Sequence, residues 1–225
     1  MSARCVQRQF LLRPDPRLTA GIRFLLAHYA NKHHIQLYAA CVMSSHVHLV
    51  YRDGQARGPH FLRDFNRAVA LLVQELHGWQ GGVFEQRPMQ VRLLTLESIV
   101  DKIAYTLANP VESGGVSKAR TWPGLWLGAT SQSSDEPRPE GFPRKGRFPA
   151  RATLQSWLPD LLVRAVGEQQ AKRRLALAVD RTERRNRRRV ASTGGSFRTP
   201  HHCGRLPITT RSVRPEPRRA RAREF

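Results

Sequence analysis

Apolar and polar positions are patterned most clearly between Tyr38 and Tyr51. Two short apolar runs there flank Ser44-Ser45, which predicts a hairpin over about 35–43 and 46–51. Side chains of a strand alternate between its two faces. Val47 and Leu49 therefore face a core, and His46 and His48 stand side by side on the opposite face. Two imidazoles one strand repeat apart can share one metal ion, although a half-exposed surface pair is the commoner arrangement.

Around this hairpin the period changes. Residues 3–12 alternate weakly and predict a first strand that ends at Pro14-Asp15-Pro16. From Thr19 to His33 the residues Ile22, Leu25, Leu26 and Tyr29 recur at helical spacing, with Thr19 as N-cap. A second helix is expected over about 60–77 on the stripe Phe61, Leu62, Phe65, Val69, Leu72 and Val73, closed by Gly78. Residues 83–94 suggest a further strand bent at Pro88, and about 95–108 a third helix that buries Leu96, Ile99, Val100, Ile103 and Leu107. Tyr105 lies about 200° around that helix from Ile103, off the apolar stripe. Asn109 follows one turn later on the same face, and Pro110 limits continuation. The order strand, helix, hairpin, helix, strand, helix implies an α+β fold, a mainly antiparallel sheet with helices packed on it.

After Trp126 the texture changes. The chain divides into a folded unit over 1–128, a linker rich in Ser, Pro, Gly and charge over 129–153, a helical extension over 154–179, and an Arg-rich tail over 180–225 expected to be disordered when alone.

Charge adds a partner to this picture. The 225 residues carry a formal net charge of +21. Residues 1–129 hold 15 basic and 8 acidic side chains, and residues 130–225 hold 23 and 9. Such an excess favours a polyanion, nucleic acid first. No long apolar or lipidated segment accompanies it, which argues against a membrane. Arg184, Arg185, Arg187, Arg188 and Arg189 suit a phosphate-contacting arm, and Arg87 and Arg92 face either DNA phosphate or solvent. Cys5, Cys41 and Cys203 are far apart, form no C-x-x-C pair and suit a reducing cytoplasm; Arg4, Arg8 and Arg13 interrupt any signal-peptide core. His33-His34 and His201-His202-Cys203 lack a matching second cluster and read as surface or linker. Trp79 and Phe84 serve either base stacking or core packing.

His46-Val47-His48 resembles the HUH motif, histidine–hydrophobe–histidine. Its setting from Tyr38 to Leu49 resembles the hairpin of single-tyrosine transposases that act on single-stranded DNA, and the nearest subgroup is the REP-associated tyrosine transposases. Tyr105 to Val116, with Asn109-Pro110-Val111, is similar to that subgroup's nucleophile helix and its exit, and Trp122 to Trp126 to the stretch that follows. The likeness covers roughly residues 3–128. Ser44-Ser45 departs from the Pro-Asn of many relatives.

The resemblance implies an HUH-endonuclease-like, ferredoxin-like core. It implies Tyr105 as nucleophile, His46, His48 and Asn109 as ligands of Mg²⁺ or Mn²⁺, and a substrate of single-stranded DNA with hairpin or palindromic repeats. It also implies a cytoplasmic, nucleoid-associated protein. Two imidazoles alone would suit zinc as well. Insertion-sequence relatives are homodimers that can pair the histidines of one chain with the tyrosine of the other, whereas REP-associated relatives can act as monomers. The alternative is a catalytically silent DNA-binding protein derived from such an enzyme. A histidine-triad hydrolase is rejected, because position 50 is Val50.

Overall fold

Strand β1 (Ser2–Arg4), helix α1 (Pro16–Lys32), strands β2 (Ile35–Met43) and β3 (His46–Asp53) and helix α2 (Gly58–His77) open the chain. They are followed by α3 (Leu96–Glu112), β4 (Trp126–Leu127), β5 (Ser133–Pro137), β6 (Arg151–Gln155), α4 (Asp160–Val166) and α5 (Glu168–Ser192). This computed structural model describes residues 1–198 except 86, 141, 143–145 and 147. His201-His202-Cys203 and the tail from residue 199 lie outside the described residues.

The first sheet has the order β1-β3-β2-β4 and is antiparallel throughout. A strip over 84–89 borders β1 through antiparallel bridges at Ser2–Met89 and Cys5–Phe84. Counting that strip, the order strip-β1-β3-β2 with α1 and α2 as crossovers is the ferredoxin-like βαββαβ arrangement. The fold is thus α+β with an antiparallel sheet, as the residue pattern implies.

The two sheet faces bury different helices. Val47 and Leu49 of β3 pack with Ile22, Phe24 and Leu25 of α1 and Phe61, Phe65 and Val69 of α2. On the other face, Tyr38, Ala39 and Val50 meet Ile99, Val100, Ile103 and Leu107 of α3, and Leu162, Ala171 and Leu175 of α4 and α5 join the same cluster. Helix α3 therefore lies between the sheet and α5. That placement explains why its second half, Thr106 to Val111, is buried without a break.

Several boundaries differ from the sequence reading, each for a local reason. Helix α1 starts at Pro16, because Asp15 caps it by accepting from Leu18 N at 2.9 Å and proline is well suited to the first turn. The first strand stops at Arg4. Gln7 and Arg8 take left-handed φ of 51° and 57°, which folds the chain over the hairpin tip. There Cys5 N donates to Ser45 O and Leu12 N to Ser44 O. The strand expected over 83–94 shrinks to the two bridges. Pro88 has no N–H to give a ladder, and Met89, Val91 and Leu94 are exposed. Helix α3 runs through Pro110 to Glu112 instead of ending before it. The segment read as a helical extension from 154 begins inside β6, and Gly167 with φ of 77° separates its two helices.

The expected linker over 129–153 is replaced by the β5–β6 hairpin, whose strands pair from Ser133–Gln155 to Pro137–Arg151. It packs on α1. Arg23 makes a two-pronged ion pair with Glu136 at 2.6 and 3.0 Å, and Phe142 and Phe148 set their ring edges against Phe24 at 5.4 and 6.0 Å. Likewise, residues 180–192 of the expected disordered tail are the second half of α5, seated through buried Asn186 and Val190. No helix of the described residues is long and apolar enough to cross a membrane.

Because Phe142 is only 5% exposed, Phe142→Ala should lower unfolding free energy by about 3 kcal/mol in a urea titration. A change within about 0.5 kcal/mol, the range of a surface position, would return this segment to the status of a linker.

Candidate active site

Strand β3 is an interior strand, so its residues are fixed from both sides. His46 stands between Arg4 of β1 and Met43 of β2, and His48 between Ser2 and Cys41. Directly opposed residues of an antiparallel ladder share a face. His46, His48, Arg4 and Cys41 thus belong to the face that α3 covers. The two imidazoles are 4.7 Å apart, centre to centre, at 79°.

Tyr105 and Asn109 reach this patch from one face of α3, four residues apart. The Tyr105 ring lies 5.4 Å from that of His48 at 80°. The Asn109 amide bridges the histidines: Oδ1 is 3.1 Å from His46 Nε2, and Nδ2 is 3.3 Å from His48 Nε2. Ser45 Oγ is 3.2 Å from His46 Nδ1. One proton assignment accounts for these three contacts. The Ser45 hydroxyl donates to His46 Nδ1, His46 Nε2–H donates to Asn109 Oδ1, and Asn109 Nδ2–H donates to His48 Nε2.

Helix α3 is held rigidly where it carries these groups. Thr95 and Ser98 form a reciprocal capping box at its start. The Trp126 indole donates to Leu107 O at 2.9 Å, and Asn186 Nδ2 of α5 donates to Ala108 O at 3.4 Å. Arg189 pairs with Glu112 at 3.0 Å. Trp122 ties the following segment to the sheet by donating to Val42 O at 2.8 Å. These donors around the last turns accompany the passage of the helix through Pro110.

Electrostatics complete the description. Burial pushes the His48 pKa well below the ordinary 6.5, and the charges of His46, the Met1 amino terminus, Lys102 and Arg4 push the same way. His48 is accordingly a neutral imidazole at neutral pH. Lys102 Nζ sits 5.0 Å from the centre of the Tyr105 ring.

The donor set fits a divalent cation. Two imidazole nitrogens and one amide oxygen meet at this spot. Their present hydrogen bonds are the kind that a cation replaces, and the Ser45 hydroxyl can serve either tautomer of His46. The third donor is an amide; among the described residues no group of three His, Cys, Asp or Glu forms. Such a set leaves most of the cation's charge uncompensated and suits an anionic substrate oxygen as a further ligand.

The structure therefore gathers His46, His48, Tyr105 and Asn109 from one chain into one cluster. It does not bring the arginines there. Arg87 and Arg92 are exposed on the segment between α2 and α3. Arg184, Arg185, Arg187, Arg188 and Arg189 lie on α5, and three of them are engaged within the chain. Arg184 pairs with Asp180 at 2.8 Å, Arg187 with Glu183 and Ser117 O at 3.1 Å, and Arg189 with Glu112. Arg187 and Arg189 thus help to anchor α5, and Arg184, Arg185, Arg188 and Arg189 remain exposed to solvent. Sequence reasoning passed over Lys102, Ser45 and Asn186. Lys102 was findable three residues before Tyr105 on the same helix face.

The His48 environment makes a pH prediction. A histidine held neutral by the fold takes up its proton preferentially when unfolded, so stability falls as pH drops below the unfolded value near 6.5. In metal-free buffer, the wild-type urea midpoint should fall between neutral and mildly acidic pH, with His48 contributing up to about 1.4 kcal/mol per pH unit. His48→Gln should flatten this dependence, leaving the slope owed to the Met1 amino group, which burial lowers to about 6, and to His28 and His77, which burial also pushes down. Identical slopes in both proteins would contradict the assignment.

Compared with known proteins, the chain matches no family model, no curated protein and no solved structure.

Proposed function

We propose that this chain cleaves and rejoins single-stranded DNA through a covalent Tyr105 intermediate, the chemistry of DNA transposition. The observation that carries the proposal is the meeting of Tyr105 with the His46–Asn109–His48 network on one face of one sheet. Any one of these residues has a commoner structural role. Their convergence from two elements, with a buried histidine beside a tyrosine, supports a phosphoryl-transfer site.

In the proposed reaction, Tyr105 Oη attacks a backbone phosphorus. The Oη–P bond forms, the P–O3′ bond breaks, the phenol gives up its proton and the departing 3′ oxygen takes one up. One strand end becomes a 5′-phosphotyrosine and the other a free 3′ hydroxyl. One phosphoester is exchanged for another, so rejoining needs no nucleotide triphosphate. His46, His48 and Asn109 would hold a divalent cation, Mg²⁺ or Mn²⁺, which when bound polarises the phosphate and offsets its developing charge. His48 meanwhile borders the Tyr105 ring, and the hydrogen-bonded Asn109 fixes the spacing between the two histidines. Because all four residues come from one chain, the proposal needs no exchange of Tyr105 between subunits. The net charge of +21 supports a nucleic-acid substrate.

The test of the nucleophile uses end-labelled single strands carrying the hairpin DNA that flanks the gene, with Mn²⁺ or Mg²⁺. Wild-type protein should give an adduct stable to denaturing electrophoresis and mapping to Tyr105. Tyr105→Phe should fold and bind the strand but give no adduct. An adduct on another residue would overturn the assignment, and no adduct at all would favour the silent DNA-binding protein.

Metal dependence is tested separately. Replacing both His46 and His48 by Ala should abolish cleavage and Mn²⁺ binding by calorimetry while DNA binding through the basic surface persists. Unchanged cleavage in that variant would remove the metal from the mechanism.

A further inference from the structure

Two cationic side chains border the cluster from different elements. Lys102 precedes Tyr105 by one turn of α3, with Nζ 5.0 Å from the ring centre. Arg4 lies directly opposite His46 in the β1–β3 ladder, on the same sheet face, and is exposed. The Lys102 ammonium thus lies against the Tyr105 ring, and Arg4 extends from the strand position opposite His46. Within the cluster the polar groups are a serine hydroxyl, an amide, a phenol and two imidazoles. A multiply charged backbone complements this arrangement, since successive phosphates could each meet a fixed cation.

We infer that Lys102 and Arg4 form a phosphate clamp, in which Lys102 holds the non-bridging oxygens of the phosphate that Tyr105 attacks and Arg4 holds a neighbouring phosphate on the histidine side. The inference rests on the strand-transfer reading given above. As the Oη–P bond forms and the P–O3′ bond breaks, Lys102 stabilises charge on oxygens that neither gain nor lose a bond. The competing role for Lys102 is only to hold the Tyr105 ring in place by the cation–π contact, and the two roles differ in how they answer to salt and to the charge of the DNA.

Two measurements separate them. First, binding of oligothymidylate is followed against salt concentration in a Tyr105→Phe background, which keeps the ring and removes the reaction. Each cation lost from the clamp, by Lys102→Gln or Arg4→Gln, should lower the log–log slope by about 0.7. Lys102→Arg should restore it. Second, single-turnover adduct formation on the gene-flanking hairpin strand should slow about a hundredfold with Lys102→Gln and recover most of its rate with Lys102→Arg. An unchanged salt slope with Lys102→Gln overturns the clamp, whatever the adduct rate. So does a normal adduct rate in that variant. If wild-type protein forms no adduct while the slope changes as expected, the strand-transfer reading fails and Lys102 and Arg4 remain as a phosphate-binding pair.

Discussion

The register of the β2–β3 hairpin is the constraint on which the rest depends. Side-chain direction in a strand has a period of two, so a slip of one residue exchanges the faces. In the observed register Val47 and Leu49 enter the core beneath α1 and α2, and His46 and His48 face α3. Slipped by one, the strand would bury two imidazoles among Phe24, Phe61 and Phe65 and leave Val47 and Leu49 against a polar cluster. The apolar demand of one face therefore sets the chemistry of the other. Residues 5–12 reinforce the choice, because their backbone bonds to Ser44 and Ser45 fasten the hairpin tip.

Asn109 shows how far fold and site are one object here. It is only 5% exposed, on a helix packed on two sides, and its amide has two polar atoms that must be satisfied. Leaving such a group unpaired costs about 1–3 kcal/mol. The histidines are the partners that avoid this cost. The network consequently stabilises the seating of α3 on the sheet while it keeps His46 Nε2 and His48 Nε2 turned toward each other across one amide. Any stability measurement on a site variant reports both roles together, which is why salt slope, adduct position and pH dependence are more informative than loss of activity alone.

Much of this arrangement is legible in the residues themselves. The histidine pair follows from the period of two, and the Tyr105–Asn109 face from the period of a helix. The antiparallel α+β core follows from the order of the elements. What escapes is carried by contacts distant in sequence. Ser133 to Pro137 have no apolar alternation, and this strand is seated by Glu136 reaching Arg23, more than a hundred residues away. Phe142 and Phe148 sit among Pro, Gly and charge, and it is Phe24, His28 and Tyr29 of α1 that make them part of a core. In α5 the density of arginine hides a stripe of Ala171, Leu175, Asn186 and Val190 at helical spacing. The left-handed turn at Gln7 and Arg8 gives no signal, since neither is a glycine. Continuation of α3 past Pro110 follows the same rule: a local preference yields where Trp126 and Asn186 bring donors from elsewhere.

One polypeptide furnishes both histidines, the tyrosine and the asparagine of the cluster. That has a genetic corollary. In a cell making intact copies together with copies lacking the tyrosine hydroxyl, each intact copy keeps a complete set of groups. On the proposed strand-transfer reading, output then declines with the share of intact copies, and a defective copy interferes only by occupying DNA. Had the tyrosine been lent across a two-fold axis, every mixed pair would hold a compromised site, and the same allele would poison its partner.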